Sequence, residues 1–312
     1  MNNFAPVLIP TLNRHVHFKR CIKSLSKCTH SDKIDLFIAL DYPLNETHLE
    51  GYKYTEEYLP QIKGFKSVNI IKRNTNYGAQ KNAVNLIEMV LDKYDRMIFS
   101  EDDNEFAPNF LDYINKGLNK FENDPNVMAI CGYNYPIIIP QKYSHNHYYC
   151  KAFSAWGYGS WRHKPINYVC TPDEMKVLLR DISYIKESLK YYHLTNLYTL
   201  LTAHDKPRYG DGAITINLLK NNKYCVFPTI SKVRNYGRDG SGVHKSIAKK
   251  DIYKNQIIDK NEIFFFTEGV PTTDENIIRS IRKYFSLTTM SKMKNYFLHL
   301  IYKLNDIFNL KK

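Results

Sequence analysis

The first 100 residues alternate short apolar runs with segments of helical periodicity, and this alternation constrains the fold more than any other feature. The runs APVLIP, IDLFIALD, VNIIKRN and DRMIF each have the length of a strand. Apolar side chains recur at helical spacing after the first and third runs, at Phe18, Cys21, Ile22 and Leu25 and at Ala83, Leu86, Ile87, Val90 and Leu91. The alternation predicts an α/β fold with a mostly parallel sheet flanked by helices.

Composition narrows the classes of protein that such a chain can belong to. With 312 residues and 43% hydrophobic content, the chain can bury a sizeable core. A net charge of +13 predicts an anionic partner, whether nucleic acid, anionic lipid or phosphorylated substrate. The six cysteines show no CxxC pair or zinc spacing, which predicts buried, reduced thiols. The N-terminus has no signal-peptide pattern, so we expect a cytoplasmic location.

Three carboxylates, Glu101, Asp102 and Asp103, follow the apolar run RMIF directly. Carboxylates crowded at a strand end repel one another unless a proton or a cation intervenes. Magnesium and manganese prefer oxygen ligands and commonly share one or two carboxylates with substrate phosphates. The cluster therefore indicates a site for a metal and a diphosphate, and the alternative is a solvated acidic turn that caps the next helix.

Polar residues also follow the other three predicted strands. Ligands of open α/β sheets bind at the carboxyl ends of the strands, where these residues should converge. The residues are Thr11 and Arg14, then Asp41, then Asn76, Gly78 and Lys81. The combination suits a nucleoside diphosphate, because an aspartate can accept from a base imide and cations neutralise phosphate. Taken singly, the NYG stretch is more often a turn and Asp41 is more often a loop carboxylate, so only their joint placement indicates a site.

These motifs together resemble a known enzyme family. PTLNR, the aspartate after the second strand, NTNYGAQKNAV and IFSEDDNEFAPNFLDYI are similar to motifs of GT-A nucleotide-sugar glycosyltransferases of the bacterial family-2-like type. The EDD form also resembles that of the N-acetylglucosaminyltransferase I group. The resemblance spans about residues 5–245 and includes SAWGYGSWRHK. It implies a GT-A (Rossmann-like) fold, a nucleoside-diphosphate-sugar donor and a bound Mn²⁺ or Mg²⁺.

The resemblance also implies roles for individual residues. Asp103, the last residue of the acidic motif, would hold the metal, and Asp102 would face the donor ribose or sugar. Asp211 lies just before an apolar helical pattern, where related enzymes carry the general base, and its alternative role is an N-cap. Gly210 and Gly212 flank Asp211, whereas the family often has an aromatic residue there.

Two later segments complete the site that the resemblance implies. The loop NYGRDGSGVH resembles one that covers the donor, so that Arg238 would meet the diphosphate and His244 would ligate the metal. An ordinary surface position is the alternative for His244. Trp156 and Trp161 can stack on the apolar face of an acceptor sugar, and core packing is the alternative for both.

We expect a GT-A catalytic domain over residues 1–245 and a helical appendage over 246–312. Within the domain, residues 1–125 would bind the nucleotide sugar and 126–245 the acceptor. The appendage carries an apolar stripe and lysines: Met293, Tyr296, Phe297, Leu300, Ile301, Leu304 and Phe308, with Lys292, Lys294, Lys303, Lys311 and Lys312. Such a helix suits an anionic membrane surface, and docking on its own domain or on a second copy as a homodimer is the alternative.

The sequence therefore favours an inverting, metal-dependent glycosyltransferase at the inner face of the cell membrane. Its donor would be a nucleoside-diphosphate sugar, with UDP-sugar as the first choice, and its acceptor a glycan or lipid-linked glycan of a bacterial surface polysaccharide such as lipopolysaccharide. A sugar nucleotidyltransferase is the alternative enzyme. A basic nucleic-acid- or membrane-binding module is the alternative from another class, although no nucleic-acid-binding motif is present.

Overall fold

The computed structural model describes residues 4–166, 168–190, 206–241, 256–269 and 274–284, together with residues 293, 297 and 300. The strands in these ranges are β1 (Val7–Thr11), β2 (Asp35–Leu40), β3 (Ser67–Lys72), β4 (Arg96–Phe99), β5 (Asn104–Phe106), β6 (Val127–Cys131), β7 (His147–Cys150), β8 (Tyr158–Trp161), β9 (Tyr224–Pro228) and β10 (Val233–Asn235). The helices are α1 (His15–Leu25), α2 (Leu49–Tyr58), α3 (Ala79–Leu91), α4 (Phe110–Lys120), α5 (Pro172–Arg180), α6 (Ile182–Lys190), α7 (Gly210–Lys220) and α8 (Glu275–Tyr284).

Eight strands form one mixed sheet in the order β3-β2-β1-β4-β8-β6-β9-β7. The first four are mutually parallel, and β8 joins β4 and β6 in antiparallel pairing. The four strands predicted from the apolar runs are therefore confirmed, as is the α/β class of fold. The carboxyl ends of β1, β2, β3 and β4 lie side by side at one edge of the sheet, because parallel neighbours end in the same direction.

Helices pack on both faces of this sheet. The predicted apolar face of α1 is confirmed, since Phe18, Cys21, Ile22 and Leu25 are all buried. The face of α3 is confirmed at Leu86, Ile87 and Val90, and it also buries an amide that the apolar pattern does not predict. Asn82 donates a hydrogen bond to the Ala39 carbonyl of β2 and accepts one from Arg73. This amide ties α3 to the ends of β2 and β3.

A small second sheet carries a late segment of the chain to the acidic motif. Strand β5, which starts one residue after Asp103, pairs antiparallel with β10, and Asn104 lies opposite Asn235. The Tyr236 amide then donates to the Asp103 carbonyl at 2.9 Å. Residues more than 130 positions apart in sequence therefore meet at the carboxyl edge of the main sheet.

The burial of Trp161 contradicts its predicted role, whereas the burial of the cysteines agrees with the prediction for them. Trp161 is 1% exposed in β8, and its indole N–H donates to the Leu118 carbonyl of α4. The prediction that Trp161 lines the acceptor site is therefore wrong, because both ring faces are covered by protein.

All six cysteines are buried and free, as their spacing predicts. Among the described residues, no helix combines the length and the apolar content that crossing a membrane requires.

A buried ion pair fastens the segment 256–269 to residues beside strand β10 and helix α4. The Lys232 ammonium contacts the Asp259 carboxylate, and their side chains are only 2% and 5% exposed. Asn109, just before α4, also donates to Asp259 at 2.9 Å. Removing one partner of a buried pair leaves an uncompensated charge in the protein interior.

Replacing Lys232 with methionine should therefore lower the free energy of unfolding by about 3–5 kcal/mol. Urea denaturation measures the change, and Lys260→Met, at an exposed neighbouring lysine, is the matched control with an expected change within about 0.5 kcal/mol. The double variant Lys232→Met with Asp259→Asn should recover part of the loss. No recovery would show that lost packing, and not the unpaired charge, causes the instability.

Candidate active site

The site is built around Asp102 and Asp103, which follow strand β4 at the carboxyl edge of the sheet. Both are nearly buried, at 5% and 6% exposure. Arg14, the residue just before α1, donates to a carboxylate oxygen of each, at 2.6 Å to Asp103. The Thr11 hydroxyl at the end of β1 donates to the second oxygen of Asp102 at 2.8 Å. The structure therefore brings these four predicted residues into direct contact.

Two residues that the sequence did not single out complete the surroundings of Asp103. The Asn235 amide donates to the remaining Asp103 oxygen at 2.5 Å and to Asn104 at 3.0 Å. Gly237 lies against the same carboxylate, where an added Cβ would stand 1.9 Å from Asp103 Oδ2. Only glycine permits this approach, so the loop after β10 closes over the acidic motif. In the sequence, only the NYG stretch at 235–237 indicates a tight loop at this position.

Asp211, the predicted general base, opens helix α7 and faces the acidic motif. Its carboxylate accepts a hydrogen bond from the Ala155 amide at 3.2 Å. Desolvation raises the pKa of Asp211 to about 6, although the residue keeps access to solvent. Burial, together with the charges of Asp103 and Asp211, raises the pKa of Glu101 to about 8. Asp211 therefore lies within electrostatic range of the acidic strand end, as a base opposite a metal-diphosphate site requires.

Asp41 at the end of β2 organises the loop that precedes α3. It is 3% exposed and accepts hydrogen bonds from the backbone amides of Tyr77 at 2.8 Å and Gly78 at 2.9 Å. Gly78 has a φ of 75°, which favours glycine and aims its amide at the carboxylate. Asn76 donates to the Tyr42 carbonyl at 2.6 Å. The predicted residues Asp41, Asn76 and Gly78 are thus together, and a direct contact of Asp41 with a base stays a prediction.

The other predicted site residues are Lys81, Arg238, His244 and Trp156, and their predicted contacts with ligands stay predictions. Lys81 lies on the exposed side of α3 with its ammonium 4.5 Å from the centre of the Tyr77 ring. Arg238 is partly buried in the loop after Gly237, and its contact with a diphosphate stays a prediction. His244 lies outside the described residues. Trp156 is partly buried, packs edge-on against Tyr133 at 4.9 Å, and follows the alanine whose amide contacts Asp211.

The chemistry of these donors fits a divalent cation that shares its ligands with a substrate. The described residues contain no group of three or more histidine, cysteine or carboxylate side chains suited to a metal. They do contain two adjacent, nearly buried carboxylates that converge on one cationic group, Arg14. Mg²⁺ and Mn²⁺ sites of this kind use one or two carboxylates, substrate phosphates and water. Asp103 and Asp102 would therefore hold such an ion.

One known family is similar to the N-terminal part of this chain. Residues 1–148 match the GNT-I family. No curated protein matches the chain.

Similar solved structures include two glycosyltransferases and TarS of S. aureus. The mannosyltransferase PcManGT from Pyrobaculum calidifontis, in complex with GDP-Man and Mn²⁺, is 13% identical over 51% of this chain and 45% of its own, with a TM-score of 0.33. The bifunctional glycosyltransferase WbbM is 10% identical over 70% of this chain and 37% of its own, with a TM-score of 0.35. TarS of S. aureus is 16% identical over 45% of this chain and 24% of its own, with a TM-score of 0.30. The chain thus spans less than half the length of each. The comparisons therefore show a similarity to the GNT-I family over residues 1–148.

Proposed function

We propose that the protein is an inverting, metal-dependent glycosyltransferase that moves a sugar from a nucleoside-diphosphate sugar, in the first place a UDP-sugar, to an acceptor hydroxyl. One observation carries the proposal: Arg14, Asp102 and Asp103 converge at the sheet edge that Asp211 also faces. A cation site and a carboxylate base on the same cleft are the two parts that inverting transfer needs.

The nucleotide would lie across the ends of β1, β2 and β3. There the Asp41 carboxylate holds residues 76–78 in place, and partly exposed Tyr42 and Tyr77 border the same loop. The donor diphosphate would reach the Arg14 guanidinium, whose two N–H edges match phosphate oxygens. When bound, a divalent ion supplies charge neutralisation for the departing diphosphate.

Asp211 would receive the proton of the acceptor hydroxyl as that oxygen attacks the sugar carbon. A base with a pKa of about 6 is ionised at neutral pH and still basic enough to accept this proton. Trp156, close to Asp211 in the chain segment that contacts it, would border the acceptor sugar. The acceptor would then be held by residues of the 126–245 half, opposite the donor.

A panel of nucleotide sugars tests this function directly. Incubation with UDP-, GDP- and CDP-sugars should give metal-dependent release of the nucleoside diphosphate from one of them, and EDTA should stop it. A sugar nucleotidyltransferase would instead release pyrophosphate from a nucleoside triphosphate and a sugar 1-phosphate. Release of pyrophosphate with no release of diphosphate would replace the proposed reaction by that alternative.

We further propose that the acceptor is a glycan or a lipid-linked glycan of a bacterial surface polysaccharide, met at the membrane. The supporting observation is an exposed apolar stripe near the C-terminus. Met293, Phe297 and Leu300 are helical and 68%, 62% and 56% exposed. Their spacing of four and three residues puts them on one face of a helix. An apolar face with nearby lysines suits the surface of an anionic bilayer.

Replacing Met293, Phe297 and Leu300 together with serine should move the protein from the floating to the soluble fraction in a liposome flotation assay. The buried apolar area provides most of this binding, so raising the salt concentration should weaken flotation of the unchanged protein only partly. Vesicles without anionic lipid serve as the reference. Equal flotation of both proteins would contradict a membrane role for the stripe and favour a helix docked on protein.

A further inference from the structure

The guanidinium of Arg14 occupies the position between the two carboxylates of the proposed metal site. It contacts Asp102 through one terminal nitrogen and Asp103 through the other, the second at 2.6 Å. Two negative charges that meet at one point are therefore neutralised in part by a positive charge of the chain itself. A divalent ion held by Asp102 and Asp103 would compete with the guanidinium for the carboxylate oxygens that it contacts.

The other partners of these carboxylates are fixed parts of the fold. The second oxygen of Asp102 accepts from Thr11 at 2.8 Å, and the second oxygen of Asp103 accepts from Asn235 at 2.5 Å. Every oxygen of the pair thus has a donor. The carboxylate side chains are 6% exposed, whereas the Arg14 side chain is 20% exposed. Arg14 is the member of the group that can leave toward solvent without disturbing strand β1 or β10.

We propose that Arg14 is an exchangeable counter-ion, which neutralises Asp102 and Asp103 before ligands bind and moves to the donor diphosphate when a divalent cation takes its place. The inference rests on the proposed function, because the exchange needs a donor that carries a diphosphate. It assigns Arg14 a second role as a positioning residue for the metal ligands.

The energetics of the exchange follow from elementary electrostatics. Adjacent carboxylates without a cation repel each other, and this repulsion would displace them or raise a pKa. Arg14 holds them in place, so the metal meets a preformed pair of ligands. The guanidinium loses two charged hydrogen bonds to carboxylates and gains similar ones to phosphate oxygens. Metal and nucleotide should therefore favour each other's binding through Arg14, in addition to any contact between them.

This mechanism predicts opposite effects of one substitution on two ligands. Arg14→Gln should strengthen binding of Mn²⁺ alone by about tenfold, because the metal no longer has to displace a cation. The same variant should weaken binding of UDP measured in EDTA, because the diphosphate loses its guanidinium partner. The increase in Mn²⁺ affinity that UDP produces should also be smaller in Arg14→Gln than in the unchanged protein. A purely structural role of Arg14 predicts that both ligands bind more weakly.

Titration of Mn²⁺ followed by electron paramagnetic resonance of the free ion, without nucleotide, is the main measurement. Arg14→Lys keeps the charge but cannot bridge both carboxylates with a planar fork, so its Mn²⁺ affinity should lie between those of the unchanged protein and Arg14→Gln. Lys23→Gln removes the same charge from the exposed side of α1 and should leave Mn²⁺ binding unchanged. Thermal stabilisation by Mn²⁺ gives an independent readout and reports whether each variant is folded.

Mn²⁺ affinity that is unchanged or lower in Arg14→Gln would overturn the proposal. Equal affinity of Arg14→Lys and the unchanged protein would also overturn it, because charge alone would then account for the effect. If the Mn²⁺ affinities follow the predicted order but no variant binds UDP or GDP, the counter-ion role before ligand binding stands and the proposed donor fails. The two proposals are thereby separated.

Discussion

Replacing Asp103 with alanine should reduce metal-dependent binding of the donor nucleotide by about 10²–10³-fold, since a catalytic metal ion contributes several kcal/mol. Asp103 holds one edge of the Arg14 guanidinium and the Asn235 amide, and it is the carboxylate closest to the loop after β10. Calorimetry with UDP in the presence of manganese measures the change. Thermal denaturation should show a folded variant, because Arg14 keeps its ion pair with Asp102 when Asp103 is removed.

Glu105→Ala is the matched control for this substitution. Glu105 is also an acidic residue near the strand end, but its side chain interacts with Tyr236 and not with Arg14. Its removal should leave metal-dependent nucleotide binding within about threefold of the unchanged protein. Equal affinities of Asp103→Ala and Glu105→Ala would remove Asp103 from the metal site and leave Asp102 as the remaining carboxylate.

The sequence predicts the neighbourhood of the site better than its contacts. Apolar runs that end in polar residues identify strands β1 to β4, and parallel pairing then requires Thr11, Asp41 and Asp102 to share one edge. Pairing alone leaves open which polar groups touch. Asp41 illustrates the difference: the sequence suggests a contact with a base, whereas its oxygens accept hydrogen bonds from the backbone amides of Tyr77 and Gly78.

The spacing of apolar residues does not predict contacts between segments that are distant in sequence. Asn235 meets Asp103 only because β10 pairs with β5, and three-residue strands carry almost no alternation to recognise. Trp161 was ambiguous for a related reason, since an aromatic residue suits both a sugar site and a core. Helix α2 was not identified because only Thr55 of its ten residues is buried, so its amphipathic pattern is weak.

Arg14 lies at the predicted site, but its contacts in the structure differ from the phosphate contact that its position indicates. Its position after β1 indicates a phosphate contact, and that contact stays a prediction. In the structure the same guanidinium contacts Asp102 and Asp103. A sequence pattern suggests which ligand a charged side chain binds. It does not show which protein groups neutralise that side chain, although a buried charge needs such a partner.

Replacing Asp211 with asparagine should lower turnover by about 10²–10⁴-fold while leaving donor affinity unchanged, because only the proton transfer from the acceptor loses its base. The asparagine keeps the shape of the side chain and can still accept the hydrogen bond from Ala155. Steady-state kinetics with a saturating acceptor, beside calorimetry with UDP and manganese, separate the two quantities. Turnover near that of the unchanged enzyme would reject Asp211 as the base, and a product of retained configuration would reject the inverting mechanism.

The pH dependence of turnover gives a second test of the same residue. A base acts only when ionised, so kcat should rise tenfold per pH unit below the pKa of Asp211 and level off above it. That pKa is about 6, and a nearby metal ion would lower it. The break should therefore lie at or below about pH 6, and Asp211→Asn should lose it.

Stability should change in the opposite direction to activity at this position. Desolvation raises the pKa of Asp211 from its ordinary 3.8 to about 6, so folding disfavours the ionised carboxylate. The resulting loss of stability is absent below pH 3.8, develops as pH rises to about 6, and is complete above it. Asp211→Asn should therefore melt at a higher temperature than the unchanged protein at pH 7.5, with a difference that shrinks toward pH 4. A variant that is inactive and also less stable at pH 7.5 would indicate that Asp211 stabilises the first turn of helix α7. An inactive but more stable variant would indicate a carboxylate kept for catalysis at the expense of stability.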